Sequence, residues 1–252
     1  MINYYLDFAE FYDLFTDNVE YKKQWGFIKK CVEKYSQIKP EIIIDIGCGT
    51  GSLSLLIADE YNDVIAIDPS EEMLDIAKQR ANKMEKDILF LNQSMESLDL
   101  YGTVDLAVST LDTINHITSS KVLKTAFEKV SLFLVKGGLF IFDVNSLYKH
   151  EKVLGDNSFV FEREDVFCVW QNSFNAKTKI TTENLDFFKR IDKNLNYQRY
   201  FETIKEKFHT GQILNKYLKS SGFEILDIYD DYDFKSCNEK TQRITYVTKK
   251  VN

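Results

Sequence analysis

Short apolar segments alternate with amphipathic segments along the first part of the chain. Five of the apolar segments are rich in Ile, Val and Leu, which is typical of strands covered on both faces in a parallel sheet. Strands that alternate with helical segments in this way predict an α/β fold with a doubly wound, mostly parallel sheet. The predicted strands are residues 42–46, 63–68, 88–91, 104–108 and 139–144.

Apolar side chains at helical spacing predict two amphipathic helices before the first strand. Both helices have an apolar face that can pack against the sheet. The residues on these faces are Phe8, Phe11, Tyr12 and Phe15 in the first helix, and Trp25, Ile28 and Val32 in the second.

The helix after the second strand has recognisable start signals. Ser70 can cap its N-terminus, and Glu71 and Glu72 lie in its first turn, where acids interact favourably with the helix dipole. We expect a buried face that consists of Met73, Leu74, Ala77, Ala81 and Met84.

Capping and turn residues also precede the fifth strand. Ser119 or Ser120 can cap the helix before it. The pair Gly137-Gly138 is predicted to turn the chain into the strand.

The pattern changes after about residue 155. Four segments rich in β-branched and aromatic side chains predict an antiparallel insertion of three or four strands within residues 156–207. A helix that ends at Gly222 and two further strands follow, and they complete a sheet of seven strands. The insertion segments are 158–162, 166–172, 179–190 and 197–207, the helix is 210–220, and the last strands are 223–229 and 244–249.

Composition and charge are those of an ordinary globular chain. Of its 252 residues, 44% are hydrophobic and 28% are charged. The formal net charge of −7 weighs against nucleic acid or an anionic membrane surface as a partner, because both favour basic patches. No apolar run reaches the roughly 18 residues of a spanning helix, and the N-terminus has no signal-peptide pattern. We therefore expect a cytoplasmic protein with no membrane partner.

Cysteine and histidine spacing gives no signature of a disulfide framework or a metal site. Cys31, Cys48, Cys168 and Cys237 are far apart and form no C-x-x-C pair. The three histidines show no i, i+4 spacing. We expect free thiols in a reducing compartment and no bound metal.

A glycine-rich loop follows the first strand and is the most informative segment of the chain. Gly47, Gly49 and Gly51 are followed directly by the helix-compatible residues 52–58. Glycines let the backbone turn sharply and approach a ligand closely. Nucleotide-like ligands bind at such helix N-termini in open α/β sheets.

The spacing of these glycines distinguishes between nucleotide-binding motifs. The dinucleotide fingerprint is G-x-G-x-x-G with an acid about 20 residues later. Here the third glycine comes one position early, and Ser52 occupies the sixth position. The chain also lacks the G-x-x-x-x-G-K-[ST] sequence of a P-loop. An NAD-type oxidoreductase is therefore the disfavoured enzymatic alternative.

The segment Asp45-Ile46-Gly47-Cys48-Gly49-Thr50-Gly51 resembles motif I of the class I S-adenosylmethionine-dependent methyltransferases. Asp68 and Gln93-Ser94-Met95 occur where this family has its corresponding residues, and residues 112–116 are similar to a small, largely uncharacterised bacterial subgroup. The resemblance implies a Rossmann-like, seven-stranded, mostly parallel sheet with helices on both faces. It also implies S-adenosyl-L-methionine as cofactor and methyl transfer (EC 2.1.1) as the activity.

The resemblance assigns cofactor contacts to the first two strand ends. Gly47, Gly49 and Gly51 would let the backbone pack against the methionine and ribose part of the cofactor. Asp68 ends a strand about 20 residues after the loop, where an acid can accept both ribose hydroxyls, and it can also cap the next helix. Asp45 either holds the ammonium of the cofactor through water or braces the glycine loop.

Further cofactor contacts are expected after the third and fourth strands. Ser94 and Met95 lie where the family lines its adenine pocket, and Ser94 replaces the acid that many members have there. Met73 either covers adenine or packs in the helix core. Thr110 and Leu111 would border the methyl-transfer site.

The subgroup implies a division of the chain into three parts. Its N-terminal helices close over the cofactor, so residues 1–36 are expected to form a helical lid. Tyr12 then either bonds the methionine carboxylate or packs the helices onto the sheet. Residues 37–155 and 208–252 would form the cofactor-binding core, and the insertion 156–207 would lie on the substrate side.

Methyl transfer requires alignment of donor and acceptor, whereas a general base is optional. His116 is the candidate base, and the alternative is a helix-start histidine bonded to the backbone. Asp112 either accepts a proton, binds a cationic substrate or caps the local turn. Asn145 can touch the acceptor, and Trp170 either lines the pocket or belongs to the core or a dimer contact of the insertion.

These features together predict a methyltransferase for a small-molecule acceptor, as a monomer or homodimer. One alternative is a cofactor-binding scaffold without catalysis. Another is an RNA or protein methyltransferase, of which the acidic charge disfavours RNA.

Overall fold

The computed structural model describes residues 8–193 and 196–252. Residues 1–7 of the predicted lid, and Asn194 and Leu195 of the predicted insertion, lie outside the described residues. The helices are α1 Phe8–Phe15, α2 Tyr21–Tyr35, α3 Ser52–Ile57, α4 Glu71–Lys83, α5 Ser120–Phe133 and α6 Gly211–Ser220. The strands are β1 Ile42–Ile46, β2 Asp63–Asp68, β3 Leu89–Asn92, β4 Val104–Ser109, β5 Leu134–Asn145, β6 Ser158–Arg163, β7 Val166–Asn175, β8 Ile180–Arg190, β9 Tyr197–Lys207, β10 Phe223–Asp230 and β11 Arg243–Lys250.

The main sheet has seven strands in the order β10-β11-β5-β4-β1-β2-β3. Strands β1 to β5 are parallel, and β11 runs antiparallel to both β5 and β10. This topology, with an antiparallel sheet inserted after β5, confirms the predicted fold.

Apolar cores cover the main sheet on both faces. Successive residues of a strand point to opposite faces, so Ile43 packs on one side with α2 and α3, and Ile44 packs on the other with α5 and α6. The burial of both faces explains why these strands read as continuous apolar runs.

The predicted helix caps are present, whereas one residue of the predicted buried face of α4 is exposed. The Ser70 hydroxyl accepts a hydrogen bond from the Met73 amide at 3.2 Å, and Ser119 accepts one from the Val122 amide at 3.5 Å. The prediction that Met84 belongs to this buried face is wrong. Helix α4 ends at Lys83, so Met84 leaves the helical face and is 50% exposed.

The pair Gly137-Gly138 does not precede the fifth strand as predicted but lies inside it. Strand β5 begins at Leu134, and its register against β4 shifts between the Val104–Leu134 and Leu106–Leu139 pairs. A Cβ on Gly138 would lie 2.8 Å from the Asp105 carbonyl oxygen. Glycine therefore permits the close approach of the two strands at this irregularity.

A second sheet is built from β6 to β9, paired antiparallel in sequence order. Its inner face packs on α1, where the Phe11 ring stacks on Phe187 at 4.9 Å and meets Tyr200 at 5.3 Å between ring centroids. The first helix and the insertion thus form one apolar layer. Among the described helices, none is both long and apolar enough to cross a membrane.

Candidate active site

A cavity of about 960 Å³ opens at the carboxyl ends of β1, β2 and β4, and parts of α1 and β9 also line it. The structure brings most of the predicted site residues to this cavity. They are Tyr12, Asp45, Gly47, Gly49, Asp68, Met73, Ser94, Met95, Thr110, Leu111 and His116. Four predicted site residues are not part of its lining, namely Gly51, Asp112, Asn145 and Trp170.

The glycine loop is held against β2 and needs its glycines for different reasons. The amides of Gly47 and Cys48 donate to the Ile67 carbonyl oxygen at 2.8 and 3.0 Å. Gly47 has a φ of +75°, and a Cβ there would lie 2.5 Å from Thr113 Oγ1. Gly51 faces away from the cavity, because a Cβ there would lie 3.1 Å from the Ala77 Cβ. Gly51 therefore allows the close contact between the start of α3 and α4.

Asp68 joins the glycine loop to the start of α4. One carboxylate oxygen accepts the Gly49 amide at 2.9 Å, and the other accepts the Ser70 amide at 2.9 Å. Burial raises the pKa of this carboxyl above its ordinary value, and the two amides act against that shift. Each oxygen keeps a lone pair for a further donor in the cavity.

Asp45 lies at the end of β1, under the same loop. Its carboxylate accepts the Ser54 hydroxyl at 2.6 Å, and its side chain is almost completely buried. Burial raises the pKa of Asp45 to about 7. The bond to Ser54 ties the strand end to α3, which is the geometry of a brace for the glycine loop.

Helix α1 lies over the glycine loop and is fastened there by polar contacts. The Tyr12 ring packs over Gly49, since a Cβ on Gly49 would lie 3.8 Å from Tyr12 Cε1. The Tyr12 and Tyr21 side chains are hydrogen-bonded to each other. Burial raises the pKa of the Tyr12 hydroxyl well above its ordinary value.

A polar latch next to Tyr12 was not found by sequence reasoning. Asp13 on α1 accepts the Thr50 hydroxyl at 2.7 Å and the Arg80 guanidinium at 3.2 Å. Arg80 on α4 also donates to the Thr50 carbonyl oxygen at 3.0 Å and to the Ser52 hydroxyl at 3.0 Å. No local sequence signal marks Arg80, because its partners are brought to it only by the packing of α4 on the loop.

The side of the cavity after β3 is lined by Ser94 and Met95. The hydroxyls of Ser94 and Ser97 lie 2.9 Å apart in a capping box at the start of a single 3₁₀ turn. Met95 and, on α4, Met73 are both buried. This part of the cavity is therefore an apolar wall with a polar edge.

The loop after β4 carries His116 and has an unusual backbone. Leu111 and Asp112 have φ values of 55° and 60°, which are rare for residues other than glycine. The buried Asp143 carboxylate accepts both of their amides at 2.7 Å. These bonds hold the strained turn, and the His116 side chain that follows it is exposed and lines the cavity.

Asp112 does not line the cavity but lies in a largely buried ionic network. Its carboxylate lies 3.3 Å from Arg243 and 3.9 Å from Lys149, and it accepts the Asn145 side-chain amide at 2.9 Å. Burial alone would raise the pKa of Asp112, but Lys149 and Arg243 outweigh it and hold the pKa well below its usual range. Asp112 thus stays ionised as a structural charge.

Asn145 belongs to the same network. Its side-chain amide also donates to Glu206 at 2.8 Å, and its backbone amide donates to the Asn115 side chain at 2.8 Å. Because Asn145 is fully buried, the structure gives no support for the expected contact with the acceptor. Arg243 was missed in the sequence because it starts the last strand, far from every motif.

Trp170 packs within the insertion. Its ring contacts Phe159 at 5.5 Å and Phe161 at 6.3 Å between centroids, on the inner face of the second sheet. The insertion instead presents Glu202, Thr203, Ile204 and Lys205 of β9 to the cavity. The sequence predicted the strand but not that residues 202–205 of this strand line the cavity.

Among residues 8–193 and 196–252, no three His, Cys, Asp or Glu side chains form a candidate metal site. All four cysteines are free thiols. Burial raises the pKa of Cys48, the thiol that lines the cavity, well above its ordinary value. This shift disfavours the reactive thiolate at neutral pH.

The fold and the cavity define a Rossmann-like domain that binds its ligand at the carboxyl ends of parallel strands. Comparison with known proteins identifies the family. The methyltransferase domain family matches residues 43–138. A crystal structure of an S-adenosylmethionine-dependent methyltransferase from Clostridium acetobutylicum ATCC 824 is 35% identical, with a TM-score of 0.88 over 99% of this chain and 100% of that chain.

Two curated bacterial relatives align over nearly their whole length. A protein named as a methyltransferase in Geobacillus sp. (strain WCH70) is 28% identical over 98% of this chain and 99% of its own. YqeM of Bacillus subtilis (strain 168), also named as a methyltransferase, is 26% identical over 98% of this chain and 97% of its own. The chain belongs to the class I S-adenosylmethionine-dependent methyltransferases (EC 2.1.1), and S-adenosylmethionine is its cofactor.

Proposed function

We propose that this protein transfers a methyl group from S-adenosylmethionine to a small-molecule acceptor bound in the cavity between the glycine loop and β9. The observation that carries this proposal is that one cavity joins Asp68 and the glycine loop to His116 and β9. Its volume of about 960 Å³ is near the upper end of the roughly 300–1,000 Å³ range of ligand pockets. That volume suits a cofactor and a small acceptor together.

The charge of the cavity fits the cationic cofactor and not a nucleic acid. Among the described lining residues the acids are Asp45, Asp68, Glu72, Glu96 and Glu202, and Lys205 is the one lysine or arginine. An acidic cavity attracts a sulfonium ion and repels phosphates. This supports a small acceptor over the alternative of RNA.

Individual roles follow from the positions of the side chains. Asp68 would accept the ribose hydroxyls with the lone pairs that the Gly49 and Ser70 amides leave open. Met73 and Met95 would enclose adenine. The Tyr12 hydroxyl would donate to the methionine carboxylate, and Asp45 would brace the loop.

When bound, S-adenosylmethionine supplies a methyl group that its sulfonium has already activated. The protein then has to align the acceptor and exclude water. Helix α1 excludes water by covering the glycine loop, and Thr110 and Leu111 border the reacting centre. His116 lies on the acceptor side of the strained turn, where an imidazole can accept the proton that the acceptor loses.

The proposal also assigns a role to each part of the chain, a cellular location and an oligomeric state. Helices α1 and α2 would act as the lid of residues 1–36, residues 37–155 and 208–252 as the cofactor-binding core, and 156–207 as the substrate-side insertion. The enzyme would act in the cytoplasm, as a monomer or homodimer.

Isothermal titration calorimetry with S-adenosylmethionine, S-adenosylhomocysteine and NAD tests the cofactor part. We expect micromolar binding of the first two ligands and none of NAD. Asp68→Ala should weaken S-adenosylhomocysteine binding about tenfold to a hundredfold, because it removes hydrogen bonds to a charged group. The matched control Asp63→Ala, at the exposed start of the same strand, should leave binding unchanged. Equal binding by both variants would contradict the assigned site.

Turnover separates the enzyme from the scaffold alternative. Radiolabelled S-adenosylmethionine should transfer label to a low-molecular-mass acceptor from a cell extract, and His116→Asn should slow this transfer without changing cofactor affinity. Binding without any transfer would favour a scaffold. Label that enters only protein or RNA would contradict a small acceptor.

A further inference from the structure

Strand β9 forms the cavity wall that no sequence motif assigned. It is the last strand of the second sheet, so one of its edges is not paired within the described part of the chain. Residues 202–205 of this strand line the cavity. The cavity wall is therefore a strand edge rather than a helix or a loop.

The alternation of β9 turns the Glu202 side chain inward. Tyr200 and Ile204 pack against the cluster around Phe11, and Glu206 is buried. Residues two apart on a strand share a face, so Glu202 lies between two apolar residues on the side that faces α1 and the cavity. Burial raises the pKa of its carboxyl.

Glu202 has no compensating cation in the described structure. Asp186, on the outer face of the same sheet, accepts the Arg199 guanidinium at 2.5 Å. Glu206, on the inner face, accepts the Asn145 amide at 2.8 Å. For Glu202, burial raises the pKa, the hydrogen bond from the backbone amide of Thr203 acts against that shift, and no Lys, Arg or His of the described residues contributes.

A partly buried carboxylate without a cation is unfavourable unless a ligand provides the positive charge. The cofactor, when bound, would place its own charges at the glycine loop, near the strand ends that hold Asp45 and Asp68. Glu202 lines the same cavity as His116 and Thr118, on the side where the acceptor would bind.

We propose that the acceptor is a primary or secondary amine and that the Glu202 carboxylate binds its nitrogen through an N–H group. This inference rests on the proposed function and adds the class of acceptor. The amine arrives as an ammonium ion and gives one proton to His116 or to water. The nitrogen lone pair then forms the N–CH₃ bond while the C–S bond breaks, and that electron pair stays on sulfur. The resulting N-methylammonium stays at the Glu202 carboxylate until release.

The edge of β9 supplies further groups that can hold such an acceptor. The bonds from the Ile191 amide to Asn196 and from the Phe208 amide to Lys179 fix the hydrogen-bonded pairs between β8 and β9. By this alternation the odd-numbered residues of β9 direct their amides and carbonyls to the open edge. At Lys207, the backbone carbonyl on this edge accepts the Asn115 side-chain amide at 2.9 Å. Thr203 therefore presents its backbone carbonyl beside Glu202, while its amide bonds the Glu202 carboxylate.

Selective acetylation tests the acceptor class before the acceptor is identified. Protein-free, low-molecular-mass extracts of Clostridium acetobutylicum and Bacillus subtilis cells are incubated with the purified enzyme and methyl-labelled S-adenosylmethionine. A parallel extract is first treated with N-succinimidyl acetate, which blocks primary and secondary amines, and then with hydroxylamine, which frees acylated hydroxyls. We expect labelling of the untreated extract and its loss after treatment. Labelling that persists after treatment overturns the proposal.

The variant Glu202→Gln links the amine to this side chain. Its initial rate of labelling at limiting extract should fall about tenfold or more, since the lost hydrogen bond involves a charged group. Its dissociation constant for S-adenosylhomocysteine, measured by calorimetry, should stay unchanged. The control Glu162→Gln removes an exposed carboxylate from the same sheet and should alter neither value.

The outcomes separate the two proposals. If Glu202→Gln weakens S-adenosylhomocysteine binding and leaves labelling at saturating cofactor intact, Glu202 serves the cofactor and the amine assignment is overturned. If the cofactor binds and no extract is labelled, catalysis and the amine proposal both fall. If the cofactor does not bind to the wild-type protein, the proposed function itself fails.

Discussion

The Arg243 guanidinium lies 2.7 Å from the buried Asp143 carboxylate, although 100 residues separate them in the chain. Asp143 in turn accepts the amides of Leu111 and Asp112, and it also accepts the Tyr232 hydroxyl. The last strand of the sheet therefore fixes the turn that carries His116. A residue outside every motif thus stabilises the centre of the candidate active site.

Replacement of Arg243 should destabilise the protein strongly. In Arg243→Met the buried Asp143 carboxylate loses its cation and Asp112 keeps only Lys149, and loss of one partner of a buried ion pair costs about 3–5 kcal/mol. The free energy of unfolding in urea measures the change. The control Arg163→Met removes a guanidinium from an exposed pair with Asp17 and should cost about 1 kcal/mol or less. Equal losses for the two variants would show that the Arg243 network is not stabilising.

Glu183 should make the stability depend on pH in the neutral range. Burial raises the pKa of Glu183 to about 7, and Asp112 adds to this shift, whereas an unfolded glutamate titrates at about 4.3. Between these values the folded protein holds a proton that the unfolded chain releases. The contribution of protonated Glu183 to the free energy of unfolding is therefore fully present at low pH and is lost as the pH rises from about 4.3 to 7.

The variant Glu183→Gln should remove this pH dependence, because glutamine stays uncharged. Relative to the wild type, it should gain about 1–3 kcal/mol between about pH 5 and about pH 8, since one pKa unit corresponds to about 1.4 kcal/mol. Urea unfolding at both pH values measures the difference. If the difference in free energy of unfolding between variant and wild type is the same at both pH values, the raised pKa of Glu183 is contradicted.

Two glycines of the same loop should respond differently to alanine. Gly49→Ala introduces only left-handed strain at φ +53° with Tyr12 as the nearest group, which costs about 1–2 kcal/mol. In Gly47→Ala the new Cβ also clashes with the Thr113 side chain, and such overpacking adds about 1–3 kcal/mol. Thermal unfolding should show a larger decrease of Tm for Gly47→Ala. The reverse order would refute the described packing of Thr113 on the loop.

Loss of Arg80 should loosen the lid and weaken cofactor binding. Arg80 joins α4 to Asp13 on α1 and to the glycine loop, and such a partly exposed pair is worth about 0–1 kcal/mol. Arg80→Ala should thus raise the dissociation constant of S-adenosylhomocysteine by up to about fivefold. It should also speed amide hydrogen exchange in residues 8–15. The control Lys83→Ala, exposed on the same helix, should change neither quantity, and an unchanged Arg80→Ala would exclude the latch.

Local patterns in the sequence predicted the elements that line the cavity. The strand before Gly47, the helix start at Ser70 and the position of Asp68 all follow from short-range rules of strand burial, capping and turn formation. These rules depend on neighbours in the chain, so the sequence contains them. The same rules failed at Met84 and at Gly137-Gly138, where the end of a helix and a register shift depend on packing.

The sequence by itself determined the α/β fold, the glycine loop and the cofactor class, because each is written in contiguous residues. Only the tertiary structure decided which charges compensate one another. It buried Asp112 beside Arg243 and Lys149, fixed α1 by Arg80, and turned Glu202 toward the cavity without a cation. The physical reason is that burial and ion pairing act through space, between residues that the chain order keeps far apart.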